Sequence, residues 1–233
     1  MCGRFAVGDT QGDMGGGDWA DWLGIDRDSP WPAPSWNVAP TSKAAIVGEG
    51  KRGRGLVQAR WGLVPHWWKK PLSEFSATTF NARSEEAAAK PMFRDAWRRG
   101  RCLVPAIGYY EWAFERSGKA GSKRAFFITL TGNAPGFCMA GLWAQAEVGG
   151  AGLLSFTVLT CPAGAATRHL HPRSPVILTE ADWERWLTPK SDAADLMRPA
   201  ADDRVDVREV GPAVGNVRND GPQLIEPAGL DIR

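Results

Sequence analysis

Four apolar runs follow one another between residues 101 and 161: "RCLVPAIGYYEWAF", "AFFITL", "GFCMAGLWAQAEV" and "LLSFTVLTC". They are rich in Val, Ile, Leu, Phe and Thr and are separated by Gly-rich turns, the pattern of successive strands. Short connections leave no room for a crossover helix, so such strands pair antiparallel. "GRFAV" at 3–7, "KAAIV" at 43–47 and "GLVQARWGLV" at 55–64 add strands ahead of them. The expected fold is α+β: one domain over residues 1–233, with a mainly antiparallel, barrel-like β core and helices at its periphery. Neither a repeat nor a linker divides the chain.

Helical signals are confined to a few places. "SEEAAAKPMFRDAWRRG" has Ser84 as N-cap, acidic residues in its first turn and Gly100 at its stop, with Pro91 breaking or kinking it. "TEADWERWL" sets Thr179 and Asp182 at capping-box spacing before a Trp/Leu face. "GDTQGDMGGGDWADWLG" reads as a Gly-rich loop running into a short helical turn. "SPWPAPSWNVAPTS" is extended because each Pro removes a donor and disfavours helix before it. "HWWKKPL" and the tail from Val210 to Pro227 read as loops.

A net charge of +2 means that any nucleic-acid surface must come from locally clustered arginines. The 12 Trp against 2 Tyr are unusual: about half are expected in the core and the rest along a groove. The four cysteines form no C-x-x-C pair, and ligand-spaced Cys and His are missing, so neither a zinc site nor any cofactor is expected. His169 and His171 could share a strand face, but no further ligand is near in sequence. Without a secretory or membrane-length apolar run, the expectation is a cytoplasmic protein with reduced thiols and no membrane partner.

Chemistry is suggested first by "MCGRF". Removal of Met1 would leave Cys2 with a free α-amine and a thiol on adjacent carbons. Such a 1,2-aminothiol condenses with an aldehyde to an imine, and the sulfur then closes a thiazolidine ring. The amine titrates at about 7.7–8.0, so a useful fraction is neutral near pH 7. Polar groups also interrupt apolar stretches elsewhere. Asn81 and Arg83 precede a helix, Glu111 sits between Tyr110 and Trp112, and His171 and Arg173 lead into "PVIL". A carboxylate among aromatics has a raised pKa or a partner, which suits a general acid or base. Each residue also has an ordinary role open to it: an Asx turn for Asn81, a solvent-facing strand position for Glu111, a loop for His171.

Taken in order, "MCGRF", "WGLVPHW", "FNARSE", "RCLVPAIGYYEW" and "HPRSPVIL" resemble the SRAP family, the SOS response-associated peptidases, over about residues 2–228. The closing "NVRNDGPQLIEP" is similar to that family's end. The resemblance implies covalent crosslinking to abasic sites in single-stranded DNA, with strand-cleaving lyase activity as a side path and removal of Met1 by self-cleavage or an aminopeptidase. It implies Cys2 as nucleophile with Asn81, Glu111 and His171 as the other active-site residues. It implies Arg4, Arg83 and Arg173 as DNA-facing cations, and Trp67, Trp68 and Trp112 as groove aromatics. It further implies a monomer, associated with the nucleoid when on DNA. Ser174 departs from the family's usual Met before proline, and Gly164 stands in a stretch that often holds Asn.

Three other classes fit parts of the pattern. An amino-terminal-nucleophile amidohydrolase also begins Met-Cys-Gly, but the Asn-Gly element of its oxyanion site has no counterpart here. A thiol peptidase would use Cys2 and His171 and would need no free α-amine. A non-catalytic single-strand binder would use the Trp platforms and release DNA in salt.

Overall fold

The computed structural model describes residues 2–8, 19–50, 53–114, 123–189 and 191–229. The Gly-rich loop expected at 9–18 lies outside the described residues. Five long strands form a closed ring: β2 (Lys43–Gly50), β3 (Gly53–Trp61), β5 (Arg101–Ala106), β8 (Phe137–Val148) and β9 (Ala151–Pro162). The pairing runs β9–β3–β2–β5–β8 and returns to β9, so no long strand of the ring is left with an open edge. The barrel-like expectation is therefore met.

Two parallel pairings interrupt the antiparallel pattern. β3 meets β9 at Arg60 and Trp61, and the short β4 (Asn81–Arg83) meets β9 from Val158 to Thr160. The β8–β9 hairpin turns on Gly149 and Gly150, with φ of 58° and 84°. A two-residue turn that matches strand twist requires positive φ at both positions, which glycine adopts without a Cβ clash.

A second, four-stranded sheet is ordered β1 (Phe5–Ala6), β6 (Gly108–Phe114), β7 (Lys123–Leu130), β12 (Val205–Val210). The run read as one strand from Arg101 to Phe114 therefore serves two sheets. It breaks at Ile107, whose N–H bonds the Ala6 carbonyl at 2.8 Å. Three short strands escaped the sequence reading besides β12: β4, β10 (Arg173–Pro175) and β11 (Ile177–Leu178). Runs of two or three residues carry no periodicity.

Side-chain alternation builds two cores on the barrel strands. Ala45, Val47, Leu103 and Leu159 pack with α1 (Trp19–Leu23) and α4 (Glu180–Leu187). Ala44, Ile46, Val104 and Val158 pack instead with Cys2, Phe5 and Tyr109 of the second sheet. Trp61 anchors the latter core, stacked on Phe156 and edge-on to Phe5. Four of the 12 Trp are buried and seven half-buried, so most are core-associated and only Trp67 is strongly exposed.

Pro91 does break the helical region, into α2 (Ser84–Ala87) and α3 (Arg94–Arg99). Ser84 is the first helical residue rather than the cap. Arg83 holds the N-cap position and makes no side-chain cap bond. Thr179 does cap α4, but its hydroxyl donates to the Asp182 carboxylate at 2.7 Å rather than accepting a backbone N–H.

The tail is not a free loop. Buried Asn37 donates to the carbonyls of Val214, Asn216 and Asn219 and accepts from Arg4 at 2.7 Å. Asn37→Ala strands these groups away from water and is expected to cost about 2–3 kcal/mol. At roughly 2–4 °C per kcal/mol for a chain of this size, thermal unfolding should fall by about 4–12 °C. A loss under about 1 °C would mean that the tail is held by other contacts.

Candidate active site

Cys2 precedes β1 and is fully buried. Its thiol donates to the Arg4 carbonyl at 3.8 Å. Burial, and then the Glu111 carboxylate, push the thiol far above its ordinary pKa. It is therefore a protonated thiol in the free protein. The Asn81 amide donates to the Cys2 carbonyl at 2.6 Å. Among the described residues, the buried Asn81 Oδ1 has no hydrogen-bond partner. That free acceptor lies on the same amide that grips Cys2, so it is available to an N–H of a ligand or of the terminus itself.

Glu111 lies on β6, buried, in register with Phe126 of β7. Burial raises its pKa to about 7. The Glu111 carboxylate acts on the Cys2 thiol, Tyr109 feels both and is hydrogen-bonded by Thr167, and the Thr167 carbonyl holds the His171 turn, so with the Asn81 contact the structure brings the four sequence-predicted residues into one site.

His171 ends a turn pinned by Thr167, whose carbonyl accepts the His171 N–H at 3.2 Å. Its Nδ1 lies 3.0 Å from the Arg173 N–H and 3.1 Å from the Arg173 carbonyl, so the Arg173 backbone holds it in either tautomer, as acceptor or as donor. Burial lowers its pKa, which keeps it neutral at pH 7. The two departures from the family pattern are accommodated locally. Ser174 is buried on β10 opposite Cys161. A Cβ at Gly164 would meet the Asp202 carboxylate at 2.6 Å, and that carboxylate binds the Ala166 N–H of the same turn.

The residues expected to face DNA divide. Trp67 and Trp68 lie edge to face at 6.5 Å on the 66–70 loop, with Trp67 46% exposed. Arg83 is exposed beside Asn81, and Arg173 follows His171. Trp112 and Arg4 do not line the Cys2 face. Neighbouring strand residues point to opposite sides. Tyr109 and Ala113 therefore pack with Cys2, while Tyr110 and Trp112 pack under the tail. The Arg4 guanidinium stacks over Trp112 at 5.9 Å and donates to Asn37 and the Val214 carbonyl. Both residues anchor the tail.

Sequence reasoning missed two participants. Glu85, in the quoted "FNARSE", holds Arg173 through two bonds of 2.9 and 2.7 Å. Thr160 of β9 accepts from the same guanidinium. Glu85 is legible only as an acidic first-turn residue, and Thr160 only as a strand residue.

This buried cysteine, amide, carboxylate and imidazole on a closed barrel correspond to a known class. The chain belongs to the SOS response associated peptidase (SRAP) family, which it matches over residues 1–217. It is 32% identical to "Abasic site processing protein YedK" of Escherichia coli strain K12, over 97% of this chain and all of that one. "Abasic site processing protein YoqW" of Bacillus subtilis is also 32% identical, over 97% of this chain and 99% of that one. A crystal structure of a Bordetella bronchiseptica protein superposes with a TM-score of 0.74 at 25% identity, covering 90% of this chain and all of that one.

Because the folded pKa of Glu111 is raised, the stability it contributes is full below the ordinary carboxylate range. It is lost as pH rises through about 7. Glu111→Gln mimics the protonated form permanently. Its melting temperature should exceed that of the wild type by a margin that grows between about pH 5 and pH 8 and vanishes below. A margin independent of pH would place the carboxyl's titration elsewhere.

Proposed function

We propose that this protein processes abasic sites in single-stranded DNA by forming a covalent thiazolidine through Cys2 after Met1 is removed, protecting the site from strand cleavage. The observation that carries the reading is the grip of Asn81 on Cys2 beside a carboxyl that titrates near neutrality. The names borne by the relatives point the same way.

The reaction joins an aminothiol and an aldehyde and releases one water. The Cys2 amine attacks the open-chain aldehyde carbon of the abasic sugar, giving a carbinolamine. Asn81 Oδ1 accepts an amine N–H and aims the lone pair. Glu111 takes the ammonium proton and returns it to the departing hydroxyl, which leaves as water; the iminium formed gives its N–H proton back to the carboxylate and becomes the imine. A group half-protonated near pH 7 serves both transfers. The Cys2 thiol then adds to the imine carbon, its proton passes to nitrogen, and the ring closes. His171, held at Nδ1 by the Arg173 backbone, hydrogen-bonds the sugar ring oxygen through Nε2 and assists ring opening in both directions. Holding the partners in contact is worth effective molarities of about 10⁵–10⁸ M. Ring closure also removes the imine that would otherwise lead to β-elimination, so lyase activity is a side path.

The thiol-peptidase reading fares less well. It needs a Cys–His pair and a lowered thiol pKa. Here the thiol is raised, its hydrogen-bond partner is the Arg4 carbonyl, and His171 Nδ1 is taken by Arg173.

Denaturing electrophoresis with an abasic single-stranded oligonucleotide tests the proposal. The wild type should give a heat-stable shifted band and an intact mass lacking Met1. Cys2→Ser should lose the stable band while keeping an imine trapped by borohydride. An active preparation in which every molecule retains Met1 would defeat the aminothiol mechanism.

Single-turnover crosslinking separates the other two groups. Glu111→Gln should slow adduct formation by about 10²–10⁴-fold. His171→Ala should slow formation and release alike, leaving the final yield less changed than the rates. Wild-type rates in His171→Ala would make the histidine structural only. The lowered pKa of His171 means that the rate should hold below the usual histidine range before falling in acid.

A further inference from the structure

The two arginines beside the site are both engaged within the free chain, and one short helix engages them. Glu85 and Glu86 stand in the first turn of α2. Glu85 forms a two-pronged pair with Arg173, at 2.9 and 2.7 Å. The Arg173 side chain is only 13% exposed, while Glu85 is 46% exposed and lies on the solvent side of the pair. Thr160 accepts from the Arg173 Nε and Nη2 through its hydroxyl and carbonyl. Glu86 lies 4.0 Å from Arg83 and also pairs with Lys90. Arg83 keeps 60% of its side chain exposed.

A planar guanidinium offers its fork to carboxylate and phosphate in the same geometry. The carboxylate of Glu85 therefore occupies the position that a DNA phosphate would take on Arg173. We infer that Glu85, and more weakly Glu86, is a specificity-determining residue of the site, holding arginine from backbone phosphate until a strand displaces the carboxylate. This inference rests on the proposed reading of Arg83 and Arg173 as phosphate contacts.

The consequence is selective. Ordinary single-stranded DNA offers only phosphates and stacking, so it bears the full cost of the competition. An abasic strand bears the same cost, but covalent capture then holds it irrespective of the non-covalent affinity. The two glutamates thereby weaken binding to undamaged DNA and leave the crosslinked product untouched. Removing the carboxylate charge frees one arginine for one more phosphate. Each such contact on a single strand steepens the salt dependence by about 0.7 in log Kd against log salt. An exposed ion pair is modest in strength, so the change in affinity should be about two- to fivefold.

The test is fluorescence anisotropy of a labelled, undamaged thymidine oligonucleotide over a salt series, with wild type, Glu85→Gln, Glu86→Gln and Glu184→Gln. Glu184→Gln makes the same charge change at an exposed position of α4. Glu85→Gln should bind about two- to fivefold tighter with a slope steeper by about 0.7. Glu86→Gln should show a smaller gain, and Glu184→Gln none. Glu85→Asp keeps the net charge but draws the carboxylate away from the fork, so it should also tighten binding and guards against a folding defect in the first variant. Equal or weaker binding by both Glu85 variants overturns the inference, as does an equal gain in Glu184→Gln. The same preparations are mixed with abasic oligonucleotide. If the wild type forms no adduct there, the functional proposal falls and takes this inference with it. If the wild type crosslinks and the Glu85 variants bind no tighter, the inference alone falls.

Discussion

Strand β9 is the element on which the site depends. It has 12 residues, about 40 Å at strand rise, and both of its edges change partner part-way along. One edge pairs with β3 at Ser155 and Phe156, then with β4 from Val158 to Thr160. The other pairs with β8 as far as Val158, then with β10 from Thr160 to Pro162. The first half of β9 closes the barrel. The second half lies beyond the ring, and its backbone groups there receive the two short strands that carry Asn81 and follow His171. Unpaired buried N–H and C=O groups are costly, so closure of the barrel creates the demand that β4 and β10 satisfy.

The opposite wall of the site comes from the second sheet, through Cys2 ahead of β1 and Glu111 on β6. Docking that sheet on the barrel buries Cys2 and desolvates Glu111 in one step. Desolvation is the first cause of both raised pKa values. The same burial that stabilises the sheet contact therefore sets the protonation states that the chemistry uses. Under the proposed mechanism a protonated thiol waits while the amine acts first. A carboxyl near pKa 7 can shuttle protons where an exposed glutamate, at about 4.3, would remain a weak base.

Charge at the rim follows a different logic. The small net charge of +2 leaves little long-range attraction for nucleic acid. Arg173 and Arg83 are further quenched by Glu85 and Glu86. A protein built to hold DNA tightly by electrostatics would leave those guanidinium groups free. Under the proposed covalent mechanism there is no need of strong non-specific affinity.

Strand positions at 43–47, at 55–61 of the run expected to reach Val64, and within 101–161 were legible because apolar β-type runs between Gly-rich turns have few other folds open to them. The Pro91 break and the α4 helix were legible for equally local reasons. The four residues of the site were legible as polar groups in apolar company, and the ordered motifs tied them to one family. What remained hidden is what depends on non-local contact. Nothing in "RCLVPAIGYYEWAF" marks Ile107 as the point where one run passes between two sheets. Trp112 adjoins Glu111 in sequence, yet strand alternation sends it to the tail with Arg4. Glu85 reads as a first-turn acid until the fold carries Arg173 to it from 88 residues away. Sequence determined which segments are strands and which side chains can do chemistry, because propensity and ionisation are properties of residues and their neighbours. Tertiary structure decided which of those side chains meet, how deeply each is buried and therefore where each titrates, because register across β9 and the docking of two sheets depend on contacts between distant parts of the chain.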